Sequence, residues 1–219
     1  MDFIKSVVDF VLHLDTHLNA IIQSYGFLTH FILFAVIFCE TGLVVTPFLP
    51  GDSLLFAAGT FAAAGSLKIG WLFLLVAAAA VLGDTANYWI GKIIGPKVFH
   101  KESSRIFRKE YLDRTHRFYE KYGAETIIIA RFVPIVRTFA PFVAGIGRMT
   151  YARFLSYNVV GGVGWVALFV FGGYFFGNLS FVRRNFSFVL VAIILISLTP
   201  MAYEVLRHRR AKKRAGRTD

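Results

Sequence analysis

Residues 124–147 read AETIIIARFVPIVRTFAPFVAGIG. The stretch is apolar and long enough to enter a bilayer, yet it holds Arg131, Pro134, Arg137 and Pro141. Divided by its prolines it gives two arms of about ten residues, each about 15 Å long as helix. Such an arm reaches only halfway across a hydrocarbon core about 30 Å thick. The stretch therefore enters and returns as a hairpin, or crosses once with a break.

Charge on either side chooses between these. Arg207, Arg209, Arg210, Lys212, Lys213, Arg214 and Arg217 form a basic tail, 207–219. A second basic run, 92–122, carries Lys92, Lys97, Lys101, Arg105, Arg108, Lys109, Arg114, Arg117 and Lys121. Both flank apolar spans, so both are placed on the cytoplasmic side, where they can also meet anionic headgroups. With the tail inside, apolar 185–206 runs outside to inside and 153–178 runs inside to outside, joined by a short turn with Arg183 and Arg184. Residues 124–147 then start and end inside, which only a re-entrant hairpin satisfies.

The same parity works upstream. Residues 69–91 form a span from outside to inside. Before them, 27–48 and 53–67 flank Thr46-Pro47-Phe48-Leu49-Pro50-Gly51-Asp52, a Pro/Gly reversal, so 27–67 is a second hairpin entering from the opposite side. Residues 1–26 place Phe3, Val7, Val8, Val11, Leu14, Leu18, Ile21 and Ile22 at helical spacing among Asp9, His13, Asp15 and His17. That is an amphipathic helix, at the interface or packed on protein, and these polar residues interrupt any secretory-signal core. The expected fold class is an all-α integral membrane protein. Its core is an inverted-topology repeat of two re-entrant hairpins, each followed by a transmembrane helix, with a C-terminal transmembrane helix and an N-terminal amphipathic helix. In this design the ligand site lies near the midplane. The membrane domain is 27–206.

Composition agrees. Of 219 residues, 56% are hydrophobic and 17% charged, against about 25% charged in soluble domains. The net charge of +11 sits in the two flanking clusters, which argues against nucleic acid as partner. Cys39 is the single cysteine, so no intrachain disulfide can form. The six histidines, His13, His17, His30, His100, His116 and His208, lack metal-ligand spacing. Neither a phosphate loop, a nucleophile elbow nor a zinc signature is present. Metal and cofactor are expected to be absent.

Chemistry is carried by Glu40, Asp52, Asp84, Arg131 and Arg137, which lie inside apolar segments. A charge at the bilayer centre costs roughly 2.5–3.5 kcal/mol, so such a set left unpaired costs on the order of 10 kcal/mol. Two opposed hairpins can bring acids and arginines together. A purely structural set of buried ion pairs is the competing reading. Arg131 and Arg137 stay charged and match phosphate geometry, while broken helices offer N-terminal amides to anions. A buried carboxylate can change protonation because desolvation disfavours its charged form, so Glu40 or Asp52 can carry a proton.

Three motifs give these residues a family likeness. They are Phe38-Cys39-Glu40 through Pro47-Phe48-Leu49-Pro50-Gly51-Asp52-Ser53-Leu54-Leu55; Gly83-Asp84 with Tyr88-Trp89-Ile90-Gly91; and Arg131-Phe132-Val133-Pro134-Ile135-Val136-Arg137 with Pro141, Ala144-Gly145 and Met149. Over nearly its whole length the chain resembles the DedA family, also called the SNARE-associated or VTT domain family. The resemblance implies two opposed re-entrant hairpins in the bacterial inner membrane and a link to proton-motive-force-dependent envelope homeostasis. Several members are implicated in returning undecaprenyl phosphate across that membrane, and eukaryotic relatives are lipid scramblases. The family's essential acids match Glu40 and Asp52, and its essential arginines match Arg131 and Arg137.

The expected function is therefore a proton-coupled polyprenyl-phosphate flippase rather than an enzyme. Arg131 and Arg137 would bind phosphate and Glu40 and Asp52 would couple protons. Asp84, Pro47, Pro50, Gly51, Pro134 and Pro141 would support them. Membrane lipids and protons are the partners, and a homo-oligomer is open. The rivals are a lipid scramblase or cation/proton antiporter using the same site, a lipid-phosphate phosphatase, and a structural membrane protein.

Overall fold

The computed structural model describes residues 14–43, 51–98, 123–147, 149–186, 188–193 and 195–196. Among these there are helices and turns and no strand. Pro47 and Pro50, residues 99–122 of the basic run and the tail 207–219 lie outside them.

The first helix, α1, is Leu14–Tyr25. It buries Leu18 and Ile22, four residues apart, and leaves His17, Asn19 and Gln23 exposed. A 3₁₀ turn, Gly26–Leu28, joins it to α2, Thr29–Gly42. Gly26 supplies the left-handed conformation, φ 50°, that this junction needs. The chain is thus nearly continuously helical where the sequence reading divided it at 26/27, and Thr16–Gly42 is long and apolar enough to cross a membrane. Helix α3 is Gly51–Ala63 and α4 is Ile69–Val98.

The apolar span 69–91 lies within helix α4, which continues to Val98. Hydropathy marks where the apolar surface stops, whereas the helical backbone continues through Gly95 and Pro96 in its last turns. Lys92 adds its own reason, since its ammonium lies 4.7 Å from the Trp89 ring centroid.

The stretch 124–147 is broken, as its composition implies, but unequally. A 3₁₀ turn, Gly123–Glu125, leads into α5, Thr126–Ala130, and the chain breaks before α6, Pro134–Ile146. The expected arms of similar length are replaced by a short and a long one. Pro134 explains where the break falls. It holds Val133 in an extended conformation, φ −123° and ψ 100°, and opens the next helix itself. Pro141 lies inside α6. Then come α7, Tyr151–Phe176, and a five-residue helix, α8, Ser180–Arg184, where a turn was expected. Residues 186, 188–193 and 195–196 are helical again.

Helices α4 and α7 are the two long members, and each also qualifies by length and composition as a membrane span. They pack on each other, and each receives one helix from either side of the chain: α2 and α6 lie on α4, while α3 and α5 lie on α7. Exchanging α2, α3 and α4 for α5, α6 and α7 maps these contacts onto themselves. Glycines permit the approach. A methyl group built on Gly59 would run into the Val170 carbonyl, and one on Gly173 into that of Phe56. At the exchanged interface Gly91 faces the Phe142 carbonyl and Gly145 that of Tyr88. Close backbone contact through small residues is how helices associate where lipid removes the hydrophobic driving force.

Two apolar clusters flank a polar layer. One gathers Leu18, Leu33, Leu55, Ala80, Trp165, Val170 and Leu190; the other gathers Tyr88, Ile127, Val136, Ala140 and Phe154. On α4, Asp84 falls between Ala80 and Tyr88; on α7, Asn158 falls between Phe154 and Trp165.

The glycine contacts predict a stability difference. Gly173→Ala forces α3 and α7 apart at a cost of about 1–3 kcal/mol. Gly164→Ala, on the same helix with nothing within 4 Å, is close to neutral. Thermal unfolding of the full chain in detergent should show a lowered midpoint for the first variant alone.

Candidate functional site

The five charged residues singled out in the sequence come together. Glu40 lies in the last turn of α2 and Asp52 in the first turn of α3. Arg131 follows α5 at the break, and Arg137 lies in the first turn of α6. Asp84 comes from α4. Each interrupted stretch thus presents its charges beside its interruption, where backbone groups also lack helical partners.

The two arginines are held differently. Arg137 spreads its fork over two acids, with Nη2 2.7 Å from Glu40 Oε1 and Nη1 2.9 Å from Asp52 Oδ1. It therefore ties the 124–147 stretch to both α2 and α3. Arg131 is fixed to the long helices. Its Nη2 is 2.5 Å from Asp84 Oδ2 and donates to Asn158 Oδ1 at 2.6 Å. The Asn158 amide in turn donates to the Val81 carbonyl at 3.0 Å. Glu40, Asp84 and Arg131 are 2–3% exposed and Arg137 is 8% exposed. Water therefore screens the Arg131–Asp84 and Arg137–Glu40 pairs little, while the Asp52 side chain is 14% exposed.

The supporting residues acquire specific tasks. Gly51 opens α3 with its backbone against the Glu40 carboxylate, and a side chain there would collide with it. A carboxylate beside a helix N-terminus is favourably placed. Pro134 begins α6. Pro141, lacking an N–H, deprives the Arg137 carbonyl of its usual helical donor.

Two site residues escaped the sequence reading. Asn158 is fully buried and shares Arg131 with Asp84. Trp165 is also fully buried; its indole N–H donates to Asp52 Oδ1 at 2.9 Å. The guanidinium carbons of Arg137 and Arg131 lie 5.2 and 5.9 Å from its ring. The available signal was their spacing. Seven residues is close to two helical turns, so both lie on one face of α7. A third residue, Asn87, donates to the Thr41 carbonyl at 3.2 Å and to the Thr138 carbonyl at 2.9 Å, linking α2 and α6 through α4.

A family profile, the VTT domain, matches residues 49–175. The chain belongs to the VTT-domain, or DedA, family. The match takes in Asp52, Asp84, Arg131, Arg137, Asn158 and Trp165 and begins after Glu40. The protein named DedA of Escherichia coli K12 is 52% identical over 219 residues, covering 99% of this chain and 100% of its own. An uncharacterised membrane protein of Mycobacterium tuberculosis H37Rv is 48% identical over 84% of this chain and 82% of its own. The inner membrane protein YqjA of Escherichia coli K12 is 34% identical over 68% of each chain. No solved structure matches.

This VTT-domain site has an uneven charge balance: three carboxylates face two guanidiniums. Arg131 and Asp84 balance, so the negative excess lies with Arg137, Glu40 and Asp52. Hydrogen bonding is also incomplete. Glu40 Oε2, Asp84 Oδ1, and Arg131 Nε and Nη1 are buried with no hydrogen-bond partner among the described residues. Such atoms are costly to leave alone, and they give the cluster both donors and acceptors for a ligand. Among the described residues no three His, Cys, Asp or Glu side chains converge as a metal site would require.

The Arg131–Asp84 pair can be tested by a cycle of stabilities. Arg131→Leu and Asp84→Leu each leave a buried charge alone and cost about 3–5 kcal/mol. The double variant removes both charges and should recover a large part of that loss. Unfolding midpoints of the four proteins in one detergent measure it.

Proposed function

We propose that this protein moves a phosphate-bearing carrier lipid, a polyprenyl phosphate such as undecaprenyl phosphate, across the bacterial inner membrane, driven by protons. One observation carries the reading. Arg137, in an otherwise apolar setting, is shared by two acids from another part of the chain, Glu40 and Asp52. A proton taken up by either acid weakens its hold on the guanidinium. The freed fork then faces an anion, and a phosphate monoester suits its planar donors. Arg131, already balanced by Asp84, contributes its remaining N–H groups from a fixed position. The prenyl chain stays in lipid throughout, so only the headgroup needs a protein site.

In this reading 27–67 and 124–147 are re-entrant hairpins entering from opposite sides, and the chain's C-terminus is cytoplasmic. The exchange relation among the helix contacts supports that arrangement. The inner-membrane placement follows the name of YqjA. Rocking of one hairpin against the other exposes the site to each side in turn. The Arg137 bridges are the contacts such a motion must break, whereas the Arg131 contacts move with the long helices. No bond is made or broken in the lipid, so the protein acts as a transporter and not as an enzyme.

The excess carboxylate favours one alternative, a cation/proton antiporter, in which a small cation takes the place of the proton between Glu40 and Asp52.

Reconstitution in liposomes separates these. Leaflet exchange of a labelled polyprenyl phosphate should require the protein and accelerate with a pH gradient. Arg137→Lys keeps the charge but loses the fork that spans two acids, so exchange should fall sharply although insertion is normal. Proton efflux driven by sodium or potassium, with no lipid exchange, would replace the flippase by the antiporter. Lipid exchange that ignores both the gradient and the headgroup would make the protein a scramblase.

A further inference from the structure

Oδ1 of Asp52 accepts two hydrogen bonds, from Arg137 Nη1 and from the indole N–H of Trp165, each at 2.9 Å. The donors come from different elements, Arg137 from α6 and Trp165 from α7. Helix α7 packs along α3, which carries Asp52, through the close Gly59 and Gly173 contacts. The Trp165–Asp52 bond therefore lies within one packed pair of helices. The Arg137–Asp52 bond joins that pair to the 124–147 stretch. If α6 shifts, the second bond breaks and the first has no reason to.

We propose that Trp165 is a positioning residue that keeps Asp52 partnered and in place while Arg137 leaves it for an anionic ligand. The inference rests on the transport reading above and goes beyond it by naming what makes the exchange affordable. Asp52 is partly buried, its side chain 14% exposed, and a carboxylate in that setting is penalised when its cation leaves. A retained N–H donor to a charged acceptor offsets part of that penalty. The ring adds a second effect. Both guanidiniums lie against it, so the indole face keeps Arg137 beside the fixed Arg131 while Arg137 changes acceptors. Trp165 is fully buried and its N–H is its one polar atom. Phenylalanine keeps an aromatic ring of smaller volume at this position and loses the N–H.

The test uses the indole as its own reporter. Trp71 and Trp89 are 52% and 42% exposed and touch none of the charged cluster. Full-length Trp71→Phe/Trp89→Phe protein in phosphatidylcholine nanodiscs therefore emits from Trp165 alone. Titration with farnesyl phosphate should change that emission saturably, and farnesol, the same chain without the anion, should not. Separately, Trp165→Phe in the otherwise unaltered chain keeps a ring and loses the donor. It should fold normally and exchange labelled polyprenyl phosphate about tenfold more slowly.

Wild-type exchange rates in Trp165→Phe overturn the inference and leave the flippase standing. So does an emission that ignores farnesyl phosphate although the unaltered protein exchanges lipid. If the unaltered protein exchanges no lipid, the transport reading falls. The titration then decides alone, a phosphate-specific response upholding the Trp165 role and silence ending it. The same titration decides if Trp165→Phe fails to fold.

Discussion

The fork of Arg137 between Glu40 and Asp52 is the interaction on which the rest depends. A guanidinium in an apolar interior must be paired, and one that faces two acids gathers three backbone segments around itself. The end of α2, the start of α3 and the start of α6 converge on that point. Their convergence puts helix ends inside the molecule, where free backbone groups need partners. Gly51 meets this need by laying its backbone against the Glu40 carboxylate, and Asn87 by donating to the Thr41 carbonyl in the last turn of α2. The charges and the broken helices thus require one another.

Around the cluster the two long helices act as a frame. Each takes one short helix from either half of the chain, and glycines let backbones touch at the crossings. The frame also supplies the second grip. Asp84 from α4 and Asn158 from α7 hold Arg131, so this arginine moves with the scaffold. The site thus has one arginine held by the frame and one shared between α2 and α3. The shared pair can exchange partners while the fixed pair preserves the geometry. On the proposed transport reading, the negative excess on the Arg137 side would link that exchange to protons, because neutralising one acid there brings the local charge to zero. Trp165 belongs to both grips, lying against both guanidiniums and bonded to Asp52.

Several features were plain in the amino-acid sequence. The membrane character and the broken nature of 124–147 follow from runs of apolar residues and from Pro134. Glu40, Asp52, Asp84, Arg131 and Arg137 stand out because a charge in an apolar run is too costly to be incidental. Asn158 and Trp165 did not stand out, since asparagine is neutral and tryptophan is ordinary in an apolar helix. Composition changes at Lys92, where the apolar span ends, while the backbone of α4 continues to Val98. Composition gives two arms of about ten residues in 124–147, whereas the break at Pro134 leaves a short α5 and a longer α6 that accommodates Pro141.

By itself, then, the sequence determined which residues must be paired and roughly where the chain must break. Both are local consequences of placing charge and proline in apolar stretches. Which acid meets which arginine was decided only by tertiary structure. Pairing depends on how α4 and α7 cross and on which short helix lies against each. Nothing in the spacing of residues 40, 52, 84, 131 and 137 records that one arginine is held by the frame and the other by α2 and α3.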